Sequence, residues 1–407
     1  MPRQGAIHYG WVIVVAGFLT VFASLGLARF GLGMLLPSMG AGLGLSYSQM
    51  GLMSTGNFVG YLAAVLAAGA LVRWIGTRWT ITGGLAVVSC SMLIVSRANA
   101  FGEVLVFYAL TGVASGIGNV PAMAAVSHWF ARAHRGKAAG YVASGSGLGI
   151  ILTGTTLPSL ITGSPDSWRV GWLVLGVIAL IVTVICGLLL RDRPEDLGLV
   201  PFGHLPMKEA ESGLPARYST ALALAHIGSI YALFGATYVV YLTFIVTSLV
   251  KDRGFTEVSA GRLWAVLGFL SLFSGPIFGT LSDRMGRRAG LIIVFSAQCL
   301  AYLLAAFPLV PAFLYVSAAV FGIVAWSVPT IMAALVGDYF GPKKAAAAFG
   351  AITLFFGLGQ IIGPTVAGWA AEMTGGFSVS FAMAAALALL AIGLTIPLPP
   401  PAKQWLP

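Results

Sequence analysis

Twelve long apolar runs divide this 407-residue chain, near residues 9–38, 47–72, 79–97, 103–130, 137–162, 168–190, 219–249, 257–282, 288–307, 309–340, 344–372 and 377–398. A helix needs roughly 20 such residues to cross about 30 Å of hydrocarbon, and these runs are of that order. Asp, Glu, Lys and Arg make up only 8% of the chain against 58% apolar residues, which is too little charge for a water-facing surface. The expected class is an all-α membrane protein with twelve transmembrane helices. The first run lacks the short apolar core and small-residue cleavage site of a secretory signal, so it is expected to be a retained helix.

The formal charge of +10 could point to nucleic acid, but its distribution argues otherwise. On alternate loops and tails, from Arg3 to Lys403, lie sixteen of the 22 basic residues; the opposite loops hold five, Arg97, Arg169, Lys251, Arg253 and Arg262. That imbalance is the positive-inside pattern and predicts that both termini are cytoplasmic. Cys90, Cys186 and Cys299 are scattered through the runs and make neither a disulfide framework nor a metal site. No cofactor, metal or nucleic-acid partner is expected; lipid and a small solute are.

Polar residues concentrate over 191–217, beginning Arg191-Asp192-Arg193-Pro194-Glu195-Asp196. The expected organisation is a six-helix bundle over 1–190, a cytoplasmic linker over 191–217 and a second six-helix bundle over 218–407. An internal repeat at an offset of 210 residues supports the division. Ser46 matches Thr256, Gly51 matches Gly261, Gly112 matches Gly322, Phe130 matches Phe340, Gly140 matches Gly350, and Gly147-Leu148-Gly149 matches Gly357-Leu358-Gly359. The glycines clustered in the fifth and eleventh runs allow close helix approach, read either as structural packing or as a smooth sliding face.

The repeat also relates two charged turns. Gly279-Thr280-Leu281-Ser282-Asp283-Arg284-Met285-Gly286-Arg287-Arg288 has a degraded copy at Gly69 to Arg78, where Arg73 stands at the position of Asp283. The intact copy resembles the G-x-L-x-D-R-x-G-R-R loop of the major facilitator superfamily. The resemblance implies two pseudo-symmetric bundles that rock around a site near the membrane midplane, without bound nucleotide or metal. Asp283, Arg284, Arg287 and Arg288 are expected to form a conformational latch or to anchor the loop and set topology. The first-half copy, with Arg73, does not offer the same acid.

Arg29 lies inside the first run, away from any loop. Insertion scales put a central arginine at about 2.5–3.5 kcal/mol, so an intramembrane arginine is a functional candidate; one that snorkels outward is the structural alternative. No Asp or Glu lies in the middle of a run, and the repeat equivalent of Arg29 is Val239. A single fixed cation favours a monoanion. Polar stripes at helical spacing supply other cavity candidates: Ser54, Asn57 and Tyr61; Tyr108, Thr111, Ser115 and Asn119; Tyr231, Tyr238 and Tyr241; then Trp326, Ser327 and Gln360. Each could equally be an interhelical hydrogen bond. The substrate-binding set expected from this reading is Arg29, Asn57, Tyr61, Ser115, Asn119, Tyr238, Tyr241, Trp326, Ser327 and Gln360.

Leu27-Ala28-Arg29-Phe30-Gly31-Leu32-Gly33-Met34 and Leu45-Ser46-Tyr47-Ser48-Gln49-Met50-Gly51 resemble YbfB/YjiJ-type bacterial transporters. Tyr9-Gly10-Trp11-Val12 and Arg193-Pro194-Glu195-Asp196-Leu197-Gly198-Leu199 are similar to bacterial monocarboxylate and oxalate/formate transporters. These resemblances imply a multi-pass, monomeric secondary transporter of a bacterial inner membrane that moves a small organic anion together with a proton. Efflux of amphipathic or drug-like compounds is the alternative. The Gly-Pro signature that drug/proton antiporters carry on the fifth helix is absent there, whereas Gly359-Gln360-Ile361-Ile362-Gly363-Pro364 sits in the eleventh run.

Overall fold

A computed structural model describes residues 8–161, 164, 166–203 and 219–399. Among them helices account for nearly all regular structure, and a parallel backbone bridge joins Phe130 to Phe202. The first span consists of α1 (Gly10–Val21), a π-helical turn (Phe22–Leu27) and α2 (Gly31–Gly42). Then follow α3 (Tyr47–Val95), α4 (Phe101–Trp129), α5 (Arg132–Ala143), α6 (Gly145–Leu160) and α7 (Trp168–Leu189). The second half has α8 (Thr220–Thr247) ending in a π turn (Ser248–Asp252), α9 (Glu257–Met285), α10 (Arg287–Ala306), α11 (Ala312–Val324), α12 (Ser327–Thr374) and α13 (Ser378–Thr395).

Among the described residues ten stretches are long and apolar enough to cross a membrane. One is the 49-residue α3, which takes in the second and third runs expected from the sequence and turns sharply between them at Gly76, φ 83°. The fifth run is divided into α5 and α6, 12 and 16 residues long, which meet at Ser144. Glycine at Gly76, at Gly286 (φ 90°) between α9 and α10 and at Gly341 (φ 69°) inside α12 supplies a backbone conformation that a side chain with Cβ resists. Two helix starts are capped by side chains: Ser219 accepts from Leu222 N and Thr256 from Ser259 N, both at 3.2 Å.

The chain clusters into two units, Met1–Gly44 with Gly56–Met207, and Leu45–Thr55 with Lys208–Pro407. The first buries Trp129, Trp168, Trp172 and Tyr108; the second buries Trp264, Tyr241, Tyr302 and Tyr339. Large apolar residues such as Leu66, Val184, Leu188 and Leu390 remain exposed on their helices, a surface suited to lipid. In the second unit the segment Leu45–Thr55 is held by Tyr47 Oη donating to Asp252 (3.2 Å), Ser48 N donating to Glu372 (3.2 Å) and Thr55 Oγ1 donating to Ile361 O (2.8 Å).

The linker expected over 191–217 is described as far as residue 203; Lys208, Glu209 and Glu211 lie outside the described residues. Its visible part folds onto the first unit. Pro194–Leu197 forms a 3-10 turn closed by Asp196 accepting from Arg193 N at 3.0 Å. Phe202 then pairs its backbone with Trp129 O and Ala131 N, each at 2.9 Å, and lays its ring against His8, Trp11 and His134.

Candidate functional site

Arg29 owes its position to the π turn before it. Phe30 N donates to Leu25 O at 2.9 Å and Ala28 N to Ala23 O at 3.0 Å, so each bond spans five residues and one extra residue is fitted into the turn. Two contacts in the same unit hold the turn: Ser115 Oγ donates to Ser24 O at 2.9 Å, and Gly26 lies so close to Gly149 that a Cβ on Gly26 would fall 2.8 Å from the Gly149 Cα.

The Arg29 side chain is 8% exposed. Its Nε donates to Asn57 Oδ1 at 3.2 Å, and its guanidinium lies 4.6 Å from the Phe58 ring centre and 4.2 Å from that of Tyr61. Each such cation–π contact is worth about 0.5–2 kcal/mol. Asn57 Nδ2 in turn donates to Tyr108 O at 3.0 Å, and Tyr108 Oη donates back to Arg29 O at 3.1 Å. The circuit fixes the arginine from both ends and uses both polar groups of Asn57. Tyr61 Oη accepts from Asn119 Nδ2 at 2.8 Å, which orients the ring below the guanidinium. Arg29 Nη2 is buried and has no hydrogen-bond partner. All of these partners are neutral, and none of the ion pairs among the described residues includes Arg29.

The second unit gathers a different set. Tyr231, Phe234, Tyr238 and Phe356 stack with near-parallel rings: Tyr231 and Phe356 are 4.4 Å apart at 14°, Phe234 and Tyr238 4.8 Å apart at 12°. Gln360 Nε2 donates to Tyr238 Oη, and Trp326 meets Tyr238 edge-on at 6.1 Å. Tyr238, Gln360 and Trp326 are thus brought together, as one largely buried aromatic cluster with polar tips.

Other expected residues are placed elsewhere. Ser115 spends its hydroxyl on Ser24 O and Thr111 O. Tyr241 is fully buried, bonded to Ser317 Oγ at 2.7 Å and stacked on Phe321 at 4.1 Å. Ser327 is fully buried and bonded to Ser274 Oγ at 2.7 Å, tying the break between α11 and α12 to α9. Ser54 pairs with Thr243 at 3.2 Å within the second unit. Phe58 and the anchoring role of Tyr108 were not expected from the stripes. Asn57 and Tyr61, one helical turn apart, bracket Phe58 on nearly the same face of α3, which is the available signal.

The charged turns differ as their sequences do. In the second unit Arg287 bonds Asp283 and Ser282, and its Nε donates to Asp338 Oδ2 at 2.8 Å. Ion pairing therefore runs through Arg287, while Arg284 and Arg288 are exposed. In the first unit Asp192, from beyond α7, lies beside Gly76 and accepts from Arg78 N at 2.8 Å, and Arg78 Nε donates to Gly187 O at 2.9 Å. An acid from another element stands at the turn where the repeat has lost its own.

Membrane-length helices and the repeated glycine-turned loops are joined by a match of most of the chain to a family model of major facilitator transporters, and together they put the protein in that class of transporter. Residues 21–396 match the family model described as "Uncharacterised MFS-type transporter YbfB", and the chain belongs to that family. It is 23% identical over 381 residues to the hexuronate transporter of Bacillus subtilis (strain 168), covering 90% of this chain and 89% of that one. It is 26% identical over 394 residues to monocarboxylate transporter 11 of Mus musculus, covering 93% and 85%. Its fold matches that of a bacterial homologue of the human lysosomal transporter Spinster with a TM-score of 0.73 at 16% identity, over 96% of this chain and 97% of the other.

Proposed function

We propose that this transporter moves a small organic anion bearing one carboxylate, by alternating access, and that Arg29 is the group that receives the carboxylate. The carrying observation is a buried guanidinium that has neutral partners and an unpaired Nη2. Leaving such a charge unmatched in a low-dielectric site is costly, and a ligand carboxylate matches it in both charge and planar geometry. Relatives named for hexuronate and for monocarboxylates carry anions of this kind. Asn57, Tyr61 and Asn119 then hold the arginine and its aromatic bed, while Tyr238, Gln360 and Trp326 are the candidate substrate contacts of the second unit. The basic-residue count supports a cytoplasmic-membrane protein with both termini inside. Coupling to a proton is the expectation from the sequence, although the span interiors contain no Asp or Glu to carry it.

Proteoliposome uptake of labelled lactate, pyruvate and glucuronate, with glucose as the neutral control and with and without an imposed pH gradient, tests the reading. Saturable uptake of at least one acid and none of glucose is the expected result. Absence of uptake for all three acids, with or without the gradient and with or without the same unlabelled acid inside the vesicles, overturns it.

The Arg287 cluster is the proposed latch of the second half. Asp338 is 38% exposed at its side chain, so its ion pair contributes no more than about 1 kcal/mol. Asp338→Asn is therefore expected to leave thermal stability nearly unchanged while altering the uptake rate several-fold, because the pair is made in one state and broken in the other. An unchanged rate would remove the latch role.

A further inference from the structure

Among the described residues, Arg29 is the one Lys, Arg, Asp or Glu that lies in the interior of a span, away from the helix ends and from the turns at Gly76 in α3 and Gly341 in α12. Everything bonded to its guanidinium is uncharged: the Asn57 amide oxygen and the faces of Phe58 and Tyr61. We infer that the carrier is an obligatory exchanger of organic monoanions, returning only when a second anion occupies Arg29. The inference rests on the anion-site reading above and departs from it in the coupling, replacing a proton with a counter-anion.

A carrier that alternates must pass through a state closed to both sides, and in that state the arginine is cut off from water. With a carboxylate bound, the guanidinium and its ligand form a neutral pair. Without one, the charge stands in low dielectric against ring quadrupoles and one amide, which compensate it only in part. The loaded carrier closes readily and the empty carrier does not. A proton cannot replace the anion, because adding one to any neighbour of Arg29 raises the positive charge instead of cancelling it. A single cation also sets the class: one carboxylate per turnover, with dianions left half-matched.

The test uses the purified full-length protein in proteoliposomes, with the membrane potential clamped at zero and labelled glucuronate and lactate as probes. Vesicles are loaded either with the same acid unlabelled or with zwitterionic buffer alone. Initial uptake at least tenfold faster into acid-loaded vesicles is the expected result. Equal uptake into both sets, or uptake into buffer-loaded vesicles restored by a pH gradient, overturns exchange and leaves the anion site standing. Uptake in neither set, together with no protection of the protein against heating by either acid, overturns the anion site itself and exchange with it.

Asn57→Asp gives an independent arm. It places a carboxylate where Asn57 Oδ1 now lies 3.2 Å from Arg29 Nε, supplying an internal counter-charge to the empty carrier. The ratio of uptake into acid-loaded and buffer-loaded vesicles is expected to fall to about one, with uptake into buffer-loaded vesicles rising above that of the wild type because the empty carrier can now return. A ratio that stays tenfold in a variant that elutes as a single species overturns the electrostatic account. The wild-type comparison decides the proposal even where this variant does not fold.

Discussion

Arg29→Gln is expected to abolish saturable uptake of the transported acid while leaving the protein well expressed and at least as stable to heat. The two halves of that result have separate causes. Removing one member of a buried charge pair costs about 2–5 kcal/mol of binding, on the order of thirty- to several-thousand-fold in affinity. Removing a lone charge from a membrane span relieves an insertion cost of roughly 2.5–3.5 kcal/mol, against which the two lost cation–π contacts weigh about 1–4 kcal/mol together. Glutamine retains a donor toward Asn57 Oδ1, so the Asn57–Tyr108 circuit has a replacement partner. Arg29→Lys separates charge from geometry: it keeps the cation but loses the planar fork that lies over Phe58 and Tyr61 and reaches Asn57. Affinity between that of wild type and Arg29→Gln is expected for it. The measurement is the acid's protection against thermal unfolding together with uptake in proteoliposomes. Transport that survives Arg29→Gln within threefold would remove Arg29 from the site.

What could be read in the sequence and what could not divide along a physical line. Helix class, the repeat and the lone arginine are properties of hydropathy, spacing and charge, which are carried by residues within one segment. The turn that aims Arg29 is not. The π geometry over Phe22–Leu27 exists because Ser115 Oγ reaches Ser24 O from α4 and because Gly26 meets Gly149 on α6; no local propensity in Phe-Ala-Ser-Leu-Gly-Leu encodes it. Asp192 shows the same limit. The repeat shows that the first charged turn has lost its acid at Arg73, but only the folded chain brings a carboxylate from beyond α7 beside Gly76. Polar stripes were ambiguous for a related reason, since period gives a face and not a partner. Asn57 and Ser115 both belong to such stripes, yet Asn57 holds Arg29 and Ser115 holds the backbone beneath it. Asp338, the main partner of Arg287 Nε, lies 51 residues along the chain and carries no motif of its own.

Gly149→Ala and Gly359→Ala are each expected to destabilise the protein by about 1–3 kcal/mol through overpacking, whereas Gly140→Ala and Gly350→Ala are expected to be neutral or to stabilise by about 0.5–1 kcal/mol. The four positions are two repeat pairs at the same 210-residue offset, and in the sequence all of them are small residues in glycine-rich runs. The structure separates them. A Cβ at Gly149 would fall 2.3 Å from the Gly26 Cα, and one at Gly359 would fall 2.0 Å from the Ala232 carbonyl oxygen. Both obstacles are backbone, which cannot swing aside as a side-chain tip can. At Gly140 and Gly350 nothing lies within 4 Å of the added carbon, so alanine there only restricts the unfolded chain and improves helix propensity. The two costly positions should also differ in function. Gly149 presses on the π turn three residues before Arg29, so its alanine variant should lose uptake beyond what its lowered stability explains. Gly359 presses on α8 between Tyr231 and Tyr238, behind the aromatic stack, and its variant should change affinity for the body of the substrate more than for its carboxylate. Thermal unfolding of the four variants in one detergent, followed by uptake for those that remain folded, distinguishes these outcomes. Equal melting temperatures across both pairs would mean that the helices give way at these crossings and that the close approach is not what holds the first and fifth, and the seventh and eleventh, spans together.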